Sequence, residues 1–131
     1  MKSKAEVEIV DLFARWVAAV QAEDLSGIRG NHATDILMFD VPPPFLSRGL
    51  DAYMETWNIF FSSQARPIEF WFEDTQITAG DDVAFLTATG HCGYIEQGEK
   101  TDLNFRLTMG LRKDGDNWVI VHEHHSIPAQ E

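Results

Sequence analysis

The chain has 131 residues, enough for one domain, and 44% of them are hydrophobic, with Phe 9, Trp 4 and Tyr 2 supplying large side chains for a packed core. Ten Lys and Arg against 21 Asp and Glu leave a net charge of -11, which repels polyphosphates and speaks against nucleic acid or an anionic membrane surface as a partner. Cys92 is the single cysteine, so the sequence offers neither an intrachain disulfide nor a cysteine-rich metal framework.

The N-terminal MKSKAEVEIVDLFARW alternates acids with apolar residues instead of forming the apolar run of a signal peptide, and no stretch is long and apolar enough to span a membrane. A soluble, cytoplasmic protein is expected. Ile9, Phe13, Trp16, Val17 and Val20 fall on one stripe of an amphipathic helix over about residues 3 to 22. Asp24 is placed to cap a second short helix running to Gly30. DILMFD, residues 35 to 40, reads as a strand that ends at Pro42-Pro43-Pro44, because proline cannot donate to a ladder.

A third helix is expected from Gly49 to Ser63, with Tyr53, Trp57, Phe60 and Phe61 on its apolar side. From Pro67 the pattern becomes strand-like. IEFWFEDTQITA, DVAFLTATGHCGYIE, TDLNFRLTMGLRK and NWVIVHEHHSI are separated by the turn clusters AGDD, QGEK and DGDN. Three short connections imply an antiparallel meander, and helices followed by strands imply an α+β architecture in a single domain spanning 1–131.

The final strand carries three histidines and an acid within HEHH. Period-two alternation puts Trp118, Ile120, His122, His124 and Ser126 on one face and Val119, Val121, Glu123, His125 and Ile127 on the other. On this reading His122 and His124 act together, and Glu123 and His125 look away. In the preceding strand Asp102, Asn104, Arg106, Thr108, Gly110 and Arg112 alternate with Leu103, Phe105, Leu107, Met109 and Leu111. The polar face lines a cavity if it turns toward the helices and is solvated surface if it turns away.

The order of these elements, with LFARWVAAVQAEDLSGI, MFD before a proline-rich loop, SRG before a helix, GDDVAFLTATG and FRLTMGLRKDGDNWVIVHEHHS, resembles the SnoaL-like branch of the nuclear-transport-factor-2-like superfamily, which includes ketosteroid isomerases and polyketide cyclases. The resemblance covers nearly the whole chain. It implies a cone in the manner of a cystatin-like α+β barrel, with a bent antiparallel sheet around the helices and a pocket at the open end. It also implies that the polar side chains of the penultimate strand, Arg106 and Thr108, face inward.

By that resemblance Asp40 matches the isomerases' catalytic aspartate, and Trp16 stands where they carry an oxyanion-binding tyrosine. An indole N–H donates a hydrogen bond but is far less acidic than a phenol. The expected activity is cofactor-independent acid/base proton transfer on a small hydrophobic carbonyl compound. Asp40, His124 and Arg106 are its candidate catalytic groups, and Trp16, Tyr53, Trp57, Thr108 and His122 its candidate substrate contacts.

Each residue also has a plainer reading. Asp40 serves equally as a turn carboxylate, Arg106 as an internal ion pair, and the three aromatics as core. A His122–His124 zinc site would need a third ligand from Asp40, His91 or His32, and no metal is expected. The alternative for the whole chain is a non-catalytic ligand-binding or dimerisation domain. A homodimer is expected on the convex sheet face, through Leu103, Phe105, Leu107, Met109 and Leu111 with Val119, Val121, His125 and Ile127.

Overall fold

The computed structural model describes residues 2–129. Helix α1 (Lys4–Gln21) begins in a capping box: Ser3 Oγ accepts from the Glu6 backbone N–H at 3.2 Å while the Glu6 carboxylate faces the Ser3 backbone. It buries Ile9, Leu12, Phe13, Trp16, Ala19 and Val20. Helix α2 (Leu25–Arg29) is capped by Asp24, whose Oδ1 accepts from the Gly27 N–H at 3.1 Å.

Strand β1 (His32–Phe39) starts three residues before the expected segment, and a short strand β2 (Ser47–Arg48) that the proline-rich context concealed pairs back on it. Helix α3 (Leu50–Ser62) follows Gly49, whose φ of 94° is a conformation open chiefly to glycine and whose N–H donates to Ile36 O. Tyr53, Trp57 and Phe61 are its buried side chains.

Strands β3 (Phe70–Ala79), β4 (Val83–Glu96), β5 (Glu99–Asp114) and β6 (Asn117–Ser126) form the antiparallel meander, and β1 joins β6 in parallel. The six-stranded sheet has the order β2-β1-β6-β5-β4-β3. It is curved and unclosed, with the helices against one face, so the fold is α+β and cystatin-like.

Two register shifts shape the sheet. Between Glu73 and Gln76 strand β3 gains a residue relative to β4, and Asp74 adopts a φ of 53° there. In β6, Ile120 pairs with Leu111 and His122 with Gly110, so Val121 is an extra residue. Such a bulge bends its strand and reverses which side chains point inward beyond it. Trp118 and Ile120 are buried before the bulge; after it Glu123 is fully buried and His124 is exposed. Strict alternation therefore misassigns the end of the strand: Glu123 and His125 face the helices, and His122 and His124 face out.

The faces of β5 also differ from expectation. Phe105, Leu107, Met109 and Leu111 are buried in the core, while Asp102, Asn104, Arg106 and Thr108 are exposed on the outer face. The reason is volume. Phe105 approaches the strand beside it so closely that a Cβ on Gly90 would lie 2.3 Å from its ring, and it stacks with Phe70 and packs edge-on against Phe72. Leu103, Phe105, Leu107, Met109 and Leu111 are thus core-side and not the outer dimer face assigned to them.

Candidate functional site

Where β1 and β6 run in parallel, Met38 pairs with Glu123 and Phe39 with His124. Ile36 and Met38 point inward, and the same parity turns Asp40 to the inner side at the point where the proline loop leaves the sheet. Asp40 retains partial exposure and its Oδ1 accepts from the Val41 N–H at 2.8 Å.

Glu123 is the centre of a buried polar chain. Its Oε2 accepts from the Tyr53 hydroxyl at 2.7 Å and faces His32 Nε2 at 2.7 Å. Its Oε1 faces His125 Nε2 at 3.0 Å, and the other nitrogen of that ring, Nδ1, lies 3.6 Å from Asp40 Oδ1. Trp16 Nε1 donates to the Tyr53 hydroxyl at 3.3 Å. The chain therefore runs from the partly exposed Asp40 through His125 and Glu123 to His32 and Tyr53 in the core.

Burial alone would drive the Glu123 carboxyl upward, but the hydrogen bonds and charges of His125 and His32 outweigh it and hold it at about 2. Burial likewise opposes the charged form of His125, and the hydrogen bond and charge of Glu123, with the charge of Asp40, overcome it and raise the pKa. The two shifts each favour the charged form, carboxylate on Glu123 and imidazolium on His125. Tyr53 is pushed well above its ordinary value by burial and then by Glu123, which keeps it a donor. Burial, with the Asp40 charge second, raises Cys92 to about 11, so its thiol stays protonated and is no nucleophile at neutral pH.

The expected site residues separate into two groups. Asp40, Tyr53, Trp16 and Trp57 lie on the inner side. Trp16 packs against Phe70, Phe72 and Trp57, with centroids 5.4 to 6.0 Å apart, so these aromatics fill the interior instead of walling an open pocket. His122, His124, Arg106 and Thr108 are brought together on the outer face. Arg106 Nε donates to Ser126 Oγ at 3.0 Å, and Thr108 pairs in register with His124.

On that outer face His122 Nδ1 donates to Leu37 O at 2.7 Å, and the His122 and His124 rings lie 6.3 Å apart with Phe39 packed edge-on against both. Burial, followed by the charges of His122, His125 and Arg106, lowers the His124 pKa. The expected Asp40–His124 couple is replaced by Asp40–His125. Among the described residues no three His, Cys, Asp or Glu side chains converge to hold a metal ion, and no helix is long and apolar enough to cross a membrane.

Sequence reasoning missed Glu123, His125 and His32. The HEHH cluster gave the signal for the first two, but a bulge has no sequence mark as plain as a glycine. His32 lay before the strand that the sequence delimited.

The family model for the SnoaL-like domain matches residues 9–130. The chain belongs to this family. Among solved structures, the SnoaL-like chain superposes on a nuclear-transport-factor-2-like protein of unknown function from Pseudomonas putida with a TM-score of 0.87 and 30% identity, over 99% of this chain and 91% of that one. A protein provisionally named a ketosteroid isomerase, from Shewanella frigidimarina, gives a TM-score of 0.72 at 22% identity over 88% and 92% of the two chains. One provisionally named an aromatic ring hydroxylase, from Novosphingobium aromaticivorans, gives 0.81 at 15% over 98% and 94%. The last two likenesses show the fold alone. A search of curated proteins found no match.

Proposed function

We propose that the SnoaL-like chain is a cofactor-independent enzyme that moves a proton on a small hydrophobic carbonyl compound at the mouth of the cone. The observation that carries this reading is the row Asp40–His125–Glu123, in which a partly exposed carboxylate lies 3.6 Å from an imidazole that Glu123 anchors in the core. Asp40 takes the proton from the carbon beside the carbonyl. The oxygen that gains charge accepts from His125 Nδ1–H, which at 3.6 Å from Asp40 is too far for a strong bond to it and is open to a closer acceptor. Glu123 holds the ring in place and stabilises its charge, and Asp40 then returns the proton to the substrate.

The test is wash-out of protons next to the carbonyl in deuterated water, followed by proton NMR over a panel of small apolar ketones. Acceleration over buffer is expected with the native chain, falling about 100-fold or more in Asp40→Asn. Equal exchange by that variant would overturn the role of Asp40. No acceleration with any ketone would favour the second reading, a non-catalytic ligand-binding or dimerisation domain, which the aromatic filling of the interior supports.

A homodimer through the outer sheet face belongs to the same proposal, carried by different residues from those the alternation suggested. Trp71, Val83 and Phe85 stand on the solvent side of β3 and β4 and are 47 to 61% exposed.

A further inference from the structure

Arg106, Thr108, His122 and His124 stand together on the outer face of the sheet, and the proton-transfer reading uses none of them. The register fixes their layout. Arg106 lies opposite Ser126, and Thr108 lies opposite His124, each pair spanning β5 and β6. Residues opposite one another in an antiparallel pair share a face, so Arg106, Ser126, Thr108 and His124 stand at the corners of a rectangle of roughly 5 by 7 Å. It adjoins the surface of β3 and β4 that carries Trp71, Val83 and Phe85.

All four corners can donate a hydrogen bond. Arg106 Nε is spent on Ser126 Oγ at 3.0 Å, which leaves both guanidinium NH₂ groups and the Ser126 O–H for another acceptor. Thr108 adds a second exposed hydroxyl and His124 an exposed imidazole.

The charge at this place runs against that of the chain, which carries 21 acids and a net charge of -11. Four arginines pair with carboxylates: Arg15 with Asp11, Arg29 with Asp51, Arg66 with Glu23, and Arg112 with Asp35 and Asp114. Among the described residues Arg48 and Arg106 pair with none, and both lie on this face, since Arg48 is in register with Leu37 and Leu37 with His122. Burial, then the charges of His122, His125 and Arg106, lower the His124 pKa, so the crowding is felt within the cluster. Like charges gathered without a counter-charge raise the free energy of the face, and a bound anion relieves it.

Shape selects among anions. A planar carboxylate meets one edge of the rectangle, whereas a tetrahedral phosphate turns oxygens to the guanidinium, the hydroxyls and the imidazole together. The next row of the same face is Gly110 opposite His122. A Cβ on Gly110 would meet only His122 Cβ at 3.4 Å and Val121 Cγ2 at 3.9 Å, so the sheet is bare beside the rectangle and an organic group has room there.

We propose that this face binds a small phosphate monoester, with Arg106, Thr108, His124 and Ser126 donating to the phosphate oxygens and the organic group lying over Gly110.

Phenyl phosphate titrated at neutral pH and constant ionic strength into the nitrogen-15-labelled full chain tests this, read at the backbone cross-peaks of Arg106, Thr108, His124 and Ser126. Saturable shifts are expected at these peaks. Arg106→Gln should weaken binding about tenfold or more while the tryptophan indole peaks stay in place and report an intact fold. Inorganic phosphate and benzoate should each bind about tenfold more weakly, the first lacking the organic group and the second the tetrahedral anion. Absent or non-saturating shifts would overturn the site. Unchanged affinity in Arg106→Gln would overturn the proposed contacts, equal affinity for inorganic phosphate the organic group over Gly110, and equal affinity for benzoate the choice of phosphate.

Discussion

Replacing Glu123 with glutamine removes a charge and an acceptor where no water reaches. The native carboxylate is fully buried and has three donors around it: Tyr53 and His32 at one oxygen, His125 at the other. An amide oxygen at the Oε2 position keeps the first two and turns its NH₂ toward His125 Nε2, donor against donor. His125 must then give up its proton there or lose the contact. Breaking a buried charge pair by removing one partner costs about 3 to 5 kcal/mol.

The acid limb of the native protein gives an independent figure. Glu123 falls from 4.5 to about 2 on folding, which corresponds to about 3 kcal/mol by linkage. Because the folded value is the lower one, this stability is complete above pH 4.5 and is lost as pH falls toward about 2. His125 has the opposite sign. Its folded pKa lies above 6.5, so its contribution is complete below that pH and is lost as pH rises through the folded value.

Urea unfolding across pH, followed by tryptophan fluorescence, is therefore expected to show a stability maximum between about pH 4.5 and 6.5 from these two groups. Glu123→Gln should lose about 3 to 5 kcal/mol near neutrality, flatten the acid limb and shrink the alkaline one. A loss under about 1 kcal/mol with both limbs unchanged would refute the buried ion pair.

Three further substitutions separate the core from the outer face. Gly90→Ala puts a Cβ 2.3 Å from the Phe105 ring, and the resulting displacement should cost about 1 to 3 kcal/mol in urea unfolding, whereas an unchanged midpoint would deny the close approach. Leu107→Glu buries a charge in the core and should abolish the near-ultraviolet circular dichroism of the folded chain, while Phe85→Lys should keep that signal and halve the mass found by light scattering. A folded Leu107→Glu monomer would restore the outward assignment of β5, and a native chain that is already monomeric would remove the dimer.

Much of the fold was legible because its signals are local. The stripe of Ile9, Phe13, Trp16 and Val20, the Asp24 cap and the AGDD, QGEK and DGDN turns each act within a few residues, and the corresponding elements form where the pattern puts them. What the pattern could not supply was the parallel pairing of β1 with β6, a contact between segments some 85 residues apart in the case of Leu37 and His122. Nor could it orient β5. Its alternating faces are plain in sequence, but which one covers the helices is decided by where the large rings of Phe70, Phe72 and Phe105 fit together.

The candidate site turns on one residue. Had Val121 kept the regular alternation instead of forming a bulge, His122 and His124 would have stayed in phase with Trp118 and Ile120, facing the helices, and Glu123 would have been a solvated acid on the outer face. With it, the inward places go to Glu123 and His125, and both acquire partners that fit them. Tyr53 and His32 supply donors to a carboxylate that could not otherwise remain charged in the core, and that carboxylate lets a buried imidazole keep its proton beside Asp40. The same shift leaves His122 and His124 against Phe39 on the outer surface. A bulge that reverses every later side chain relative to regular alternation is tolerated only where the reversed set is satisfied, and here each buried polar group after it has its partner.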